Sequence, residues 1–205
     1  MRKYFIFSTL AIIGVIVIFI IYFSIYGIKT EKFNNLIFDK IKTYDSKLSL
    51  DFNDAFLKLD IREKALKISI ENSKIKINNE FIDLSIIDIN LDILKSLKKE
   101  NSIKKIKIST KKNKINKVTS FLNSYKFSIQ RFIIYNQIED GFIEAEIEIN
   151  EIENRKINYN INGKISEGKL NVLNNKKIKD INFIFNIEDK KYSIKNATFK
   201  FEEID

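Results

Sequence analysis

Residues 5–28 read FIFSTLAIIGVIVIFIIYFSIYGI and contain no charged side chain. A helix of this length is about 36 Å long, which exceeds the roughly 30 Å apolar thickness of a bilayer. A cleaved secretory signal is the alternative, but its apolar segment is normally about 7–15 residues long and ends at a small-residue cleavage site. We therefore predict an uncleaved anchor, so that residues 1–28 form a short tip and one transmembrane helix.

Charged residues before this stretch indicate its orientation. Arg2 and Lys3 precede it, and such positive charges favour the cytoplasmic side of a membrane. Long domains cross membranes largely regardless of their own charge. We therefore expect the chain after Lys29 to lie outside the cytoplasm, tethered by a single span.

The composition argues against several classes of function. The net charge is +9, but the lysines are spread along the chain instead of forming one long run. A nucleic-acid-binding protein concentrates such charge on one face, so we expect no nucleic-acid partner. The chain has no Cys and no His, which removes disulfides and the commonest transition-metal ligands and nucleophiles.

Residues 29–46 predict an amphipathic helix directly after the anchor. Thr30 can cap it, and its apolar residues recur every three or four positions, as on one helical face: Phe33, Leu36, Ile37, Ile41 and Tyr44. Such a helix lies along the membrane surface or covers the near end of the sheet that follows. We expect the second arrangement, which is the commoner one.

Residues 47–205 predict a β domain, because apolar and polar residues alternate along it. The first strand group, 47–115, includes a phase change near Ile86, as a bulge produces, and a short helix over Asp92–Lys99. Residues 116–138 predict a helical insertion. Within it, Asn116–Tyr125 has the spacing of a helix, whereas 127–138 fits either a helix or a buried strand.

Residues 139–205 predict a second strand group that begins after a turn at Asp140–Gly141. Short strands separated by turns follow, and the chain stops directly after the last one. We therefore expect either part of a longer protein or a sheet edge that another chain completes. The strands place one set of apolar side chains on a common face: Ile143, Ala145, Ile147, Ile149, Ile157, Tyr159, Ile161, Phe183, Phe185, Ile187, Ile194, Phe199 and Phe201.

These patterns together predict a mainly β, α+β fold. A transmembrane helix and an amphipathic helix precede an antiparallel meander that forms a curved sheet or groove, with one or two short helices inserted. The apolar face is either a packed core or an open trough that shields acyl chains from water. Periodicity does not say what covers a face, and from the pattern alone the packed core is favoured.

No motif for enzymatic chemistry is present. The chain lacks a glycine-rich phosphate loop, a nucleophile elbow and any metal-ligand spacing. Glu144, Glu146 and Glu148 share one strand face, which predicts a solvated polar surface and not an acid–base or metal site. We therefore predict no catalytic residue, no metal, no cofactor and no enzymatic activity.

The order of the segments resembles that of a known family. Segments 30–42 (TEKFNNLIFDKIK), 83–110 (DLSIIDINLDILKSLKKENSIKKIKIST), 163–174 (GKISEGKLNVLN) and 178–203 (IKDINFIFNIEDKKYSIKNATFKFEE) are similar to the N-terminal portion of AsmA-like proteins, the TamB- and YhdP-type envelope proteins. The family's apolar pattern is met by Leu91, Ile93, Leu94, Leu97, Ile103, Ile106 and Ile108, and then by Gly163, Ile165, Gly168, Leu170, Val172, Leu173, Ile178, Ile181, Phe183, Phe185 and Ile187.

This resemblance implies a place and a function. It implies an anchor in the bacterial inner membrane, a β groove in the periplasm, and transport of phospholipid toward the outer membrane. Outer-membrane or envelope-assembly proteins are then possible partners, and no catalytic or cofactor residues are implied. Two alternatives stay open: an anchored structural module for envelope assembly, and a lipopolysaccharide-export subunit similar to LptC, whose jellyroll closes on itself.

Overall fold

The computed structural model describes residues 2–30, 34, 37–39, 41, 42, 45–93, 95, 103–151, 157–172, 176–189 and 191–203. Its first element is helix α1, Arg2–Ile25. Among the described helices, α1 alone is long and apolar enough to cross a membrane, over Ile6–Ile25, and none of this segment is buried against the rest of the chain. A single exposed apolar helix therefore stands where the anchor is predicted.

The helix ends earlier than predicted because Gly27 turns the chain. Its φ is +72°, and a Cβ at this position would lie 2.6 Å from Lys58 Cγ and 2.8 Å from the carbonyl oxygen of Leu57. Glycine alone tolerates both the dihedral angle and the close approach. Ile28 belongs to strand β1, Ile28–Thr30, so the prediction that the anchor helix continues to Ile28 is wrong. Thr30 ends this strand, and the start of the helix that it is predicted to cap lies outside the described residues.

A large antiparallel sheet makes up most of the remaining chain. In the described residues its elements follow in this order: β2 Leu48–Asp51, β3 Ala55–Asp60, β4 Ala65–Glu71, β5 Lys74–Ile77, β6 Glu80–Asp92, β7 Ile103–Thr110, β8 Asn113–Lys114, α2 Ile115–Tyr125, α3 Ile129–Gln137, β9 Ile138–Glu151, β10 Ile157–Val172, β11 Lys176–Glu188 and β12 Lys191–Glu203. The predicted mainly β fold with inserted helices is confirmed.

The sheet is curved and unclosed. Its neighbouring strands run in the order β1-β3-β4-β6-β7-β9-β10-β11-β12, while β2 and β5 form a branch on the first half of β6, and β8 pairs with β9. β1, which follows the anchor, is one end of this order, and β12 is the other. The anchor therefore joins the sheet at the edge farthest, in strand order, from β12.

The last four strands are longer than predicted, with 13 to 16 residues each. Register shifts interrupt them where turns are predicted. Asp140 and Gly141 lie inside β9, and Glu167, Asp180 and Asn196 adopt positive φ near shifts between β10, β11 and their neighbours. A bulge absorbs extra residues without ending the ladder, so the predicted turn at Asp140–Gly141 and the predicted short strands are wrong.

The helix predictions have mixed outcomes. The described residues between 34 and 42 are helical, whereas Phe33, Leu36 and Tyr44 lie outside the described part of the chain. Lys95 N–H donates to Asp92 Oδ1 at 3.0 Å, which is the predicted cap, although most of that short helix is not described. The helix predicted at Asn116–Tyr125 is present as α2, and the ambiguous segment 127–138 is helical over Ile129–Gln137, with Ile138 already in β9.

A hydrophobic core lies under the first half of the sheet. Ile70 and Ile77 are fully buried, and Phe121 of α2 closes the core from one side. Described residues of the 34–42 segment pack against the same cluster: Ile37, Phe38 and Ile41. The amphipathic segment therefore covers the sheet, as expected, because its apolar side chains fill the space over these strands.

Candidate functional site

One side of the sheet is apolar across nearly all of its strands, and we refer to it as the apolar face. Directly paired residues define it. A first row joins Ile28, Leu57, Ile68, Ile89, Ile106, Ile149 and Tyr159, from β1 to β10. A second row joins Ala55, Ile70, Ile87, Ile108, Ile147, Ile161, Ile187 and Tyr192, from β3 to β12. The period-two pattern therefore builds one continuous surface.

The opposite side of the sheet is held by ion pairs. Lys105 Nζ lies 2.9 Å from Glu148 Oε1, and Lys107 Nζ lies 2.8 Å from Glu146 Oε2. This hydrogen bond to Glu146 raises the pKa of Lys107 above its ordinary value, despite an opposing effect of burial. The carboxylates of β9 thus serve as partners for lysines on neighbouring strands, in accordance with the polar surface predicted for them.

Three asparagines extend the polar side of the sheet toward its far edge. Asn186 Nδ2 donates to Asn160 Oδ1 and to Asn162 Oδ1, each at 2.8 Å. These contacts link β10 to β11 without any apolar side chain. The polar side therefore continues onto β11, where Ile184, opposite Lys164, is an exposed apolar residue on it.

Cover over the apolar face changes along the sheet. Ile68, Ile70 and Ile87 are buried under α2 and the 34–42 segment. The same face is uncovered at the far edge, where Tyr192 is 75% exposed and Phe201 is 70% exposed. Exposed apolar surface of this kind is typical of interaction sites, because the free energy falls when an apolar partner displaces the water that covers it.

The predicted groove residues lie on this face. Ile157 belongs to β10, but its side chain is not described. None of the other twelve is fully buried: Ile143, Ala145, Ile147, Ile149, Tyr159, Ile161, Phe183, Phe185 and Ile187 are half-buried, and Ile194, Phe199 and Phe201 are largely exposed. The structure thus brings all twelve to one side of β9–β12.

Further residues of the same face are missing from the predicted set. Ile165 faces Phe183, Ile181 faces Gly168, and Ile178 lies between Leu170 and Phe201 in the strand register. At these points the bulges shift the alternation of apolar and polar residues by one position. The sequence pattern alone therefore does not show which side of the strand these isoleucines occupy. Tyr192 is different, because no bulge separates it from Ile194 and it pairs with Ile187. Its alternation with Ile194 in the sequence could have placed it in the predicted set.

The described part of the chain contains no candidate metal site. Over these residues, no group of three or more His, Cys, Asp or Glu side chains is placed to hold a metal ion. Comparisons of the chain with protein-family models, with curated proteins and with solved structures found no match. The uncovered part of the apolar face is therefore the feature on which a function can be based.

Proposed function

We propose that this protein is a single-span, AsmA-like protein of the bacterial inner membrane that handles phospholipid in the periplasm. The apolar face of β9–β12, which is most exposed on β12, would hold the acyl chains, while the head groups stay in water. The observation that carries this proposal is the exposure of the apolar residues on β12, since Ile68, Ile70 and Ile87 on the same face of β4 and β6 are buried. Each methylene removed from water contributes about 0.8 kcal/mol, so even part of an acyl chain would bind usefully.

The cover near the anchor limits the part of the apolar face that lipid would occupy. α1 leads through Gly27 into β1, and Ile28 begins the first apolar row directly after the membrane span. The second row ends at Tyr192 on the far edge. Because α2 and the 34–42 segment cover Ile68, Ile70 and Ile87 between these two ends, an acyl chain would bind the β9–β12 half of the face and not the strands next to the anchor. The open sheet gives no support to the LptC-like alternative, whose jellyroll closes on itself.

Two adjacent residues of β12 provide a matched test. Ile194 lies on the apolar face and is 64% exposed, whereas Ser193 pairs with Asn186 on the polar side and is also exposed. We expect Ile194→Asp to reduce the phospholipid that copurifies with the full-length protein in mild detergent, measured by mass spectrometry. Ser193→Asp introduces the same charge on the same strand and should leave the lipid content unchanged. Wild-type protein without bound lipid, or equal losses in both variants, would contradict the proposal.

A second candidate function is that of an anchored interaction module, with a second copy of this chain as the partner. The outer edge of β12 has no strand partner among the described residues, which leaves backbone donors and acceptors free for pairing. Antiparallel pairing of two β12 strands can place Tyr192 opposite Phe201, Ile194 opposite Phe199, and Lys191 opposite Glu202. The edge is therefore complementary to itself in both apolar character and charge.

Cysteine crosslinking tests this assembly, because the chain has no cysteine of its own. The double variant Tyr192→Cys/Phe201→Cys should form covalent dimers of the full-length protein in membranes under mild oxidation. In Ser193→Cys/Phe201→Cys the two thiols lie on opposite faces, and we expect no dimer. Monomers in both variants, together with lipid on the wild type, would leave lipid handling as the sole function of this face.

A further inference from the structure

The turn between β3 and β4 lies beside the end of the membrane anchor. An open furrow of about 390 Å³ is lined by Ser24 and Ile25 of α1 on one side. The other side consists of strand and turn residues: Lys58, Leu59, Asp60, Ile61, Arg62 and Lys67. The apolar segment of α1 ends at Ile25, so the furrow lies at the level of the lipid head groups when α1 spans a bilayer.

The carboxylates around this furrow are already engaged. Asp60 Oδ1 accepts a hydrogen bond from Glu63 N–H at 3.0 Å, which closes the turn. Glu63 Oε2 lies 3.0 Å from Lys104 Nζ, and Lys67 Nζ lies 2.7 Å from Asp88 Oδ2. Each of these carboxylates therefore has a donor within the protein.

Three cations of the same region have no carboxylate partner. Lys58, Arg62 and Lys64 form no ion pair with any residue that the structure describes, although the Lys58 ammonium lies 6.0 Å from the ring of Phe56. Arg62 and Lys64 belong to the exposed turn. The furrow and the turn thus carry a local excess of positive charge at the head-group level, which attracts anionic lipid.

An apolar side chain stands among these cations. Ile61 is 57% exposed and begins the turn directly before Arg62. A single exposed isoleucine is common on soluble proteins. Beside the end of a transmembrane helix, however, it matches a membrane-surface contact, in which an apolar group enters the head-group layer and basic groups bind phosphate.

We propose that the β3–β4 turn is a second membrane contact, in which Ile61 inserts into the head-group layer and Arg62, Lys64 and Lys58 bind the phosphates of anionic phospholipids. This contact depends only on α1 as the anchor and not on lipid transport, so the two can fail separately. It would hold the first edge of the sheet against the bilayer and orient the apolar face relative to it.

A single label reports this contact, since the chain contains no cysteine. The full-length variant Ile61→Cys is labelled with an environment-sensitive fluorophore and reconstituted into phosphatidylcholine vesicles, with or without phosphatidylglycerol. We expect blue-shifted emission and quenching by lipids with a nitroxide near the head group, both stronger with phosphatidylglycerol. The same label at Ser193→Cys, on the far edge, should remain in water. A label at residue 61 that behaves like the one at residue 193 would overturn the proposal.

Charge reversal separates phosphate binding from simple insertion. Arg62→Glu/Lys64→Glu in the labelled protein should remove the effect of phosphatidylglycerol, whereas Lys191→Glu/Lys195→Glu, two exposed lysines of β12, should not. Inorganic phosphate added to the vesicles should leave the signal unchanged, and displacement by it would point to a free-phosphate site instead. Equal quenching in both vesicle types, unaffected by the turn variant, would overturn the phosphate contact. The lipid content of purified protein is expected to be the same in both variants.

Discussion

Gly163 lies directly opposite Phe185 across the β10–β11 ladder, and the phenyl ring occupies the space beside the glycine. A Cβ at Gly163 would lie 2.3 Å from Phe185 Cζ and 2.7 Å from the carbonyl oxygen of Glu144. A glycine in a strand interior is otherwise unfavourable, so its place here follows from the close approach of the ring and the neighbouring backbone. The ring is thereby fixed on the apolar face.

We predict that Gly163→Val lowers the free energy of unfolding by about 1–3 kcal/mol, because the ring and the adjacent strand must move. Thermal unfolding of the full-length protein in detergent would measure the change. Phe185→Ala added to this variant should restore part of the loss, since it removes one of the two obstructions. Purely additive effects of the two substitutions would contradict a direct contact between these positions.

Asp88 is predicted to be the most sensitive carboxylate of the polar side. Its Oδ1 accepts a hydrogen bond from Ser69 Oγ at 2.7 Å, and its Oδ2 lies 2.7 Å from Lys67 Nζ, while Asp88 and Ser69 are both buried. Asp88→Ala should lower the free energy of unfolding, measured by thermal unfolding, by about 2–3 kcal/mol. This loss is smaller than that for a fully buried ion pair, because Lys67 retains contact with solvent. Glu144→Ala, which breaks the exposed pair with Lys164, should cost about 0–1 kcal/mol in the same unfolding experiment.

The apolar face could be predicted from the sequence, but its cover could not. Strict alternation of apolar and polar residues predicts which side of β9 Ile147 occupies, and in the sheet it lies between Ile108 and Ile161 on that side. Ile68 and Ile187 have the same local pattern, yet Ile68 is buried and Ile187 is not. The difference arises from helical residues distant in the chain that pack on one half of the sheet, and alternation carries no information about them.

The strand boundaries were obscured for a different reason. Glu167 and Asn196 adopt φ of +57° and +54° inside continuous strands, although neither is glycine. Polar residues such as these usually mark turns in a sequence, and the same left-handed dihedral occurs in turns and in bulges. Pairing with the neighbouring strands decides between the two, and this pairing is a property of the folded sheet.

Asn113 is predicted to fix the corner between β7 and α2. The side chain is 2% exposed; its Oδ1 accepts from Asp83 N–H at 3.0 Å, and its Nδ2 donates to the carbonyl oxygens of Asp83 and Lys111 at 2.9 and 2.8 Å. Asn113→Ala would remove the side-chain partner of Asp83 N–H and of the Lys111 carbonyl oxygen, whereas the Asp83 carbonyl oxygen would keep its hydrogen bond from Lys111 N–H. We expect the free energy of unfolding to fall by about 2–4 kcal/mol, measured by thermal unfolding. Asn116→Ala, at the start of α2, is a suitable control and should change stability by less than about 1 kcal/mol.

The pair formed by Lys107 and Glu146 predicts a loss of stability at high pH. The pKa of Lys107 is raised in the folded state, so its contribution is complete below the unfolded-state pKa of about 10.4 and disappears as the pH rises through the higher folded value. Wild-type protein should therefore unfold at a higher temperature than Glu146→Gln near pH 8, and the difference should shrink near pH 11. A difference that stays constant over this range would show that the pair contributes nothing through this titration.

Alternating photocrosslinks would reveal which face of the far edge meets lipid. Phe185, Ile194 and Phe199 lie on the apolar face, and Asn186 and Ser193 lie on the polar side of the same two strands. A photoreactive phenylalanine analogue at each position should form phospholipid adducts in cell membranes at 185, 194 and 199, and none at 186 and 193. This alternation is expected because a lipid on one face cannot reach side chains that point through the sheet. Protein adducts at the three apolar positions, with no lipid adduct, would instead indicate that another chain covers the face.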